Sequence, residues 1–168
     1  ASTDRTRELV SSVPDPRVQL VACDDFVPVG ASWARALDHA DGDYCLLLAC
    51  DDMLLPGAIK TLVEAAEANA ESAAVFGQAR FTYDRAGRGS LGRPSVAPRP
   101  GHVGNLERYV LKNGFNMWIG GILFRRGVPG LRIEGASRNA CDLDVVLRVG
   151  HHGGSGYVVP EEVVVVRE

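Results

Sequence analysis

Apolar residues recur along this chain with two different periods, and the switches between them mark out its elements. Thr3 to Ser12 carries charged residues around Leu9 and Val10, which fits the tail of a short helix. After the turn chemistry of Asp15-Pro16, Val18-Gln19-Leu20-Val21 alternates toward a strand. Asp24 to Gly30 reads as a loop. From Ala31 onward, Trp33, Ala34, Leu37 and Ala40 recur at helical spacing, and Gly42 supplies a stop. Tyr44 to Ala49 is a continuous apolar run, the pattern of a strand buried on both faces, and it ends abruptly in Asp51-Asp52. Pro56 stands near the start of a helix whose Ile59, Leu62, Val63 and Ala66 form one apolar face.

Further on, Ala73 to Phe76 predicts a strand that Arg80 to Asp84 extends or pairs with. Ala86 to Gly101 turns to Gly, Pro, Arg and Ser, a long loop of the kind that often carries function. Asn105 suits the cap of a helix through Asn113, with Gly114 as its stop. Gly120-Gly121 then leads into a strand at Ile122-Leu123-Phe124, and Asp142 to Val149 is helical, with Leu143, Val146 and Leu147 on one side. Tyr157-Val158-Val159 and Val163 to Val166 are strand-like. No internal repeat is present. Alternating strand and helix predicts an α/β fold, a mostly parallel sheet flanked by helices. Ligands on such sheets bind outside the carboxyl ends of the strands, so the end of the Tyr44–Ala49 run is where chemistry is expected.

Composition narrows this picture. At 168 residues with 46% hydrophobic content, the chain fits one domain with a true core. Its net charge of −3 argues against a nucleic-acid partner. No apolar run is long enough to span a bilayer, and the first residues lack the apolar core of a secretory signal. The four cysteines (Cys23, Cys45, Cys50, Cys141) form no C-x-x-C pair, which favours buried free thiols in a reducing cytoplasm over zinc or disulfides. The chain begins without Met, so a processed, excised or incomplete piece is expected.

Charges at the mouth of a buried strand must be solvated, paired or bound to a cation. Asp51 and Asp52 offer hard oxygen ligands suited to Mg²⁺ or Mn²⁺ against a diphosphate. On the residues alone, a plain helix-capping role for either is an equal reading.

The stretch from Pro28 to Ala58 resembles the family-two glycosyltransferases of GT-A fold. Ala40-Asp41-Gly42-Asp43-Tyr44 and Leu54-Leu55-Pro56-Gly57-Ala58 match that family's patterns on either side of its Asp-rich turn. Ser2-Thr3-Asp4 resembles the S-T-D after the family's second strand, which implies donor contacts from Ser2 and Asp4. In the turn itself, Ala49 and Cys50 replace the first two positions of D-x-D, and Asp51 matches the second Asp, the family's metal ligand. Asp52 matches an adjacent acidic position. Cys141-Asp142-Leu143-Asp144 resembles the family's E-D-x-D, with Cys141 in place of Glu and Asp142 at the general base. A base there would take the acceptor hydroxyl proton, and a helix N-terminus suits a carboxylate. As a plain alternative, an acidic residue there only steadies the helix.

The resemblance implies an inverting, metal-assisted transfer from a nucleoside diphosphate sugar to a carbohydrate, lipid-linked or other hydroxyl acceptor. It implies a cytoplasmic site of action, the inner face of a membrane included. Residues 1–84 form the nucleotide-sugar portion and 102–168 the acceptor side. Trp118, Gly120, Gly121 and Asp144 are expected to shape the acceptor groove. Trp118 and Trp33 also read as core or groove aromatics. Arg85, Arg88, Arg93 and Arg99 suit either a diphosphate grip or a solvated loop, and His151 and His152 read as an exposed turn. The family's amino-terminal βαβ portion has no counterpart, so a missing segment or a partner chain is expected to complete the sheet. Two rival readings stand: a non-catalytic module of the same fold that binds nucleotide or a partner, and a sugar nucleotidyltransferase.

Overall fold

The structure, a computed structural model, describes residues 3–82, 98–134 and 140–167. Ser2, the arginines 85, 88 and 93, and most of the expected 86–101 loop lie outside those residues. The described elements run α1 (Thr6–Ser11), α2 (Val29–Asp38), β1 (Tyr44–Leu46), β2 (Met53–Leu54), α3 (Ala58–Ala68), β3 (Ala74–Thr82) and β4 (Gly101–Val103). α4 (Leu106–Asn113), a 3-10 turn (Ile119–Gly121), β5 (Ile122–Arg125), α5 (Cys141–His151) and β6 (Gly156–Arg167) complete them. No described helix is long and apolar enough to cross a membrane.

One sheet orders its strands β1-β5-β3-β6-β2, with β4 also pairing to β6. Only β3 and β6 run parallel; the other described pairs are antiparallel. The α/β reading is right, but its mostly parallel sheet is corrected among the described residues. The reason is topological. No two neighbours in this sheet are consecutive in the chain, so the rule that a helix-linked pair of strands runs parallel has nothing to act on here.

Alternate residues of the strands feed two cores. Phe76, Ile122, Phe124 and Val158 face α2, α4 and α5, where Leu106, Val145 and Val149 meet them. Val75, Leu123, Val159 and Val163 face the other way, onto Leu62 and Ala66 of α3. The period of two thus puts a hydrophobic layer on each face of the central strands.

The helices obey local chemistry. The Asn105 side chain accepts from the Arg108 N–H at 2.9 Å, and Gly114 ends α4 with φ 75°. Gly57, at φ 83°, turns the chain into α3 just after Pro56.

Two expected strands change. Residues 18–21 form no strand among the described residues, and Val18, Leu20 and Val21 are exposed, because alternation needs a ladder partner to become a strand. The run from Tyr44 pairs only through Leu46, and on its other edge β1 has no partner among the described residues. The two carboxyl-terminal stretches instead join into the single strand β6, whose register against β3 shifts around Gln78. Gly77 makes the shift fit: a Cβ there would stand 2.6 Å from both methyls of Val163. The buried Gln78 amide donates to the carbonyls of Pro98 (3.0 Å) and Val159 (3.2 Å), tying the bend together.

Candidate active site

Beyond β1 the chain turns sharply at Cys50-Asp51, closed by the Asp52 N–H donating to the Ala49 carbonyl at 3.2 Å. Met53 and Leu54 then pair with Val165 and Val164 of β6. This short pairing separates the two carboxylates. Asp51 stands exposed at the turn, while Asp52 is half-buried beside the end of β6. Asp52 Oδ1 accepts from the Arg167 N–H at 3.4 Å. Burial pushes the Asp52 carboxyl above the ordinary carboxylate range, and the Asp51 charge adds to this; the Arg167 N–H and its charge pull the other way.

The 3-10 turn closes against this loop. A Cβ on Gly120 would lie 3.1 Å from Leu48 Cδ1, 3.2 Å from Val164 Cγ2 and 3.5 Å from Asp52 Oδ2. Gly120 therefore lines the same wall as Asp52. Gly121 has a different setting: its Cβ would meet Val163 and Val164 methyls at 3.2 Å, so the structure gives it packing against β6. Trp118 meets Phe81 edge-on, centroids 5.0 Å apart, and is half-buried against the core on the α3 face. Phe81 and Thr82 pair with Val166 and Arg167, which puts Trp118 at the Asp52 end of β6. Trp118 Nε1 and Arg167 Nε are buried with no hydrogen-bond partner among the described residues, an unusual state for donors that a ligand or water can satisfy.

Asp142 and Asp144 share the first turn of α5. Asp142 Oδ1 accepts from the Leu143 N–H at 2.8 Å, leaving its other oxygen without a recorded bond among the described residues. Asp144 is committed to Arg148 one turn on, at 2.9 Å, and Arg148 also meets Glu134 at 3.4 Å. Cys141 is buried beside them, and desolvation, then the Asp142 charge, push its thiol up. Asp4 sits apart in an exposed turn before α1, accepting from the Thr6 N–H (3.0 Å) and hydroxyl (2.6 Å), bonds that hold its carboxyl below the usual range.

Sequence reasoning missed Arg167 and Phe81. Neither carries a local signal, since each reaches the site only through pairing in the sheet. Of the four thiols, all free, Cys45 and Cys141 are buried, whereas Cys50 is exposed beside Asp51.

This mixed sheet with acidic residues after β1 is the GT-A architecture. Superposition on S. aureus TarS 1-349 in complex with UDP-GlcNAc gives a TM-score of 0.75 at 14% identity, covering 100% of this chain and 47% of that one. The same protein in complex with UDP gives 0.71 at 14% identity, over 100% of this chain and 49% of that one. The model of glycosyl transferase family 2 matches residues 1–128, and the chain belongs to that family. It is similar to the putative glycosyltransferase EpsE of Bacillus subtilis (strain 168), 29% identical over 176 residues, across 100% of this chain and 60% of EpsE. It is also similar to the succinoglycan biosynthesis protein ExoO of Rhizobium meliloti (strain 1021), 34% identical over 74 residues, 44% of this chain and 21% of ExoO. The chain thus spans less than two thirds of these relatives.

Proposed function

We propose that the chain carries the catalytic centre of an inverting glycosyltransferase that moves a sugar from a nucleoside diphosphate donor to an acceptor hydroxyl. The observation that carries this reading is the Asp51-Asp52 turn closed by Gly120, on a family 2 fold.

Asp51 is exposed and meets the diphosphate side; Asp52, held by Arg167 N–H, backs it. The donor set fits Mg²⁺ or Mn²⁺. No group of three or more potential protein ligands exists among the described residues, and such ions are commonly held by one or two carboxylates with phosphates and water completing the shell. A further sign is Asp52's raised carboxyl, which a neighbouring cation would relieve. When bound, the ion neutralises charge on the leaving diphosphate. Asp142 takes the acceptor proton as the acceptor oxygen bonds to the anomeric carbon and the bond to the donor phosphate breaks. Ser2 and Asp4 belong to the donor side of this proposal, and Trp118, Gly120, Gly121 and Asp144 to the acceptor side. The unpaired edge of β1 is where further chain, from the same protein or a partner, would complete the sheet. Free thiols throughout suit a cytoplasmic setting.

The test is turnover of the full-length protein with UDP-, GDP- and dTDP-sugars and Mn²⁺, followed by nucleotide release and by the anomeric configuration of the product. Release that needs Asp142 and a product of inverted configuration support the proposal. Retention of configuration, or a folded full-length protein inert with every donor and acceptor class, overturns it.

A further inference from the structure

Outside the donor site, almost every described arginine and lysine has its head group engaged. Arg5, Arg17, Lys60, Arg80, Arg132 and Arg148 meet carboxylates, for example. Arg125 and Arg126 donate to carbonyls. Besides the partly buried Arg167, three cations have head groups without a hydrogen bond or ion pair among the described residues: Arg99, Arg108 and Lys112. All three line one groove of about 580 Å³ formed by the lead-in to β4 and by α4. Its other walls include Pro100, His102 and Tyr109, and among the described residues no carboxylate lines it. Glu71 faces His102 at 3.6 Å and Glu107 faces His151 at 3.5 Å.

Clustering uncompensated positive charge is unfavourable by itself, and more notable in a chain whose net charge is −3. A second observation selects the occupant. Leu111, on the same helix, is 76% exposed. Arg108, Leu111 and Lys112 fall at i, i+3 and i+4, so they share one face of α4. A soluble phosphate would use the cations and leave Leu111 idle. An anionic bilayer surface uses both, with phosphates in the groove and the leucine in the headgroup boundary.

We propose that the α4 groove docks the protein on an anionic phospholipid surface through Arg99, Arg108, Lys112 and Leu111. The donor turn lies away from this face. β4 pairs with the first residues of β6, whereas Asp52 meets the last ones. Docking therefore leaves the donor turn uncovered.

The experiment is co-sedimentation of the full chain with phosphatidylcholine vesicles, with and without phosphatidylglycerol. Binding is expected only with phosphatidylglycerol and should fall steeply with salt. Each of Arg99→Gln, Arg108→Gln and Lys112→Gln should weaken it about fivefold, and the triple variant about a hundredfold. Leu111→Ser should weaken it several-fold without altering the salt dependence. All four positions are exposed, so unchanged melting confirms that the variants fold. Equal binding to both vesicle types, no binding, or a triple variant that binds like the parent overturns the proposal. So does saturation by inorganic phosphate without vesicle binding, which assigns the groove to a soluble anion.

Discussion

A methyl group placed on Gly120 would stand 3.5 Å from Oδ2 of Asp52, so the 3-10 turn and the acidic loop form one surface. The same methyl would press on Leu48 and Val164 at 3.1 and 3.2 Å. Leu48 is exposed and can swing away; Val164 is fully buried and cannot. Gly120→Ala should therefore lower stability by about 1 kcal/mol and weaken nucleotide binding more than that loss explains. Gly121→Ala pushes on Val163 and Val164, both fully buried, and should cost about 2 kcal/mol with little change in nucleotide affinity for the folded fraction. Denaturant melts and nucleotide titrations of both variants check the contrast. Equal effects on binding would separate Gly120 from the Asp51-Asp52 turn.

Asp52 makes the ligand-free protein less stable than it would be with a neutral group there. Its folded carboxyl binds the proton more tightly than its ordinary value of 3.8, chiefly through burial. On raising the pH from that value, the unfolded chain loses this proton first, so stability falls across the window up to the folded value and stays lower above it. Asp52→Asn keeps an oxygen for the Arg167 N–H and removes the charge. The variant should melt higher than the parent at pH 7, with the gain shrinking as the pH falls towards 3.8 and lost below it. A variant that melts lower at pH 7 would contradict this, as would a gain that is undiminished well below pH 3.8.

Asp142 and Asp144 occupy one helical turn but differ in their bonds. Asp142→Asn should lower turnover by at least about a hundredfold and leave the nucleotide dissociation constant within about twofold. Asp144→Asn releases Arg148, so it should depress melting slightly and change turnover only a few-fold. Steady-state rates beside nucleotide titrations decide between them. A reversed order would move the base to Asp144.

Much of this was legible in the chain because local chemistry decided it. Asn105 and Gly114 bracket α4, the apolar face of α3 follows from Leu62 and Ala66, and two carboxylates after an apolar run marked the turn between β1 and β2. What failed depended on partners distant in sequence. Val18 to Val21 alternates like a strand but has no ladder. Met53–Leu54 is too short to leave a pattern and exists only because β6 runs beside it. Pro160, Glu161 and Glu162 interrupt the apolar pattern, yet the strand passes through them with Pro160 and Glu161 exposed and the register shifted. That Gly120 approaches Asp52 is a property of the sheet and leaves no local signal in the sequence.

Asp51 is proposed to hold a cation against a donor diphosphate. Calorimetric titration of UDP, then GDP and dTDP, with and without Mn²⁺, tests it on the full chain and on Asp51→Ala. Binding of at least one nucleotide is expected to require Mn²⁺ and to disappear in the variant while melting is unchanged. Nucleotide binding that is indifferent to Mn²⁺, or that survives in Asp51→Ala, would contradict it.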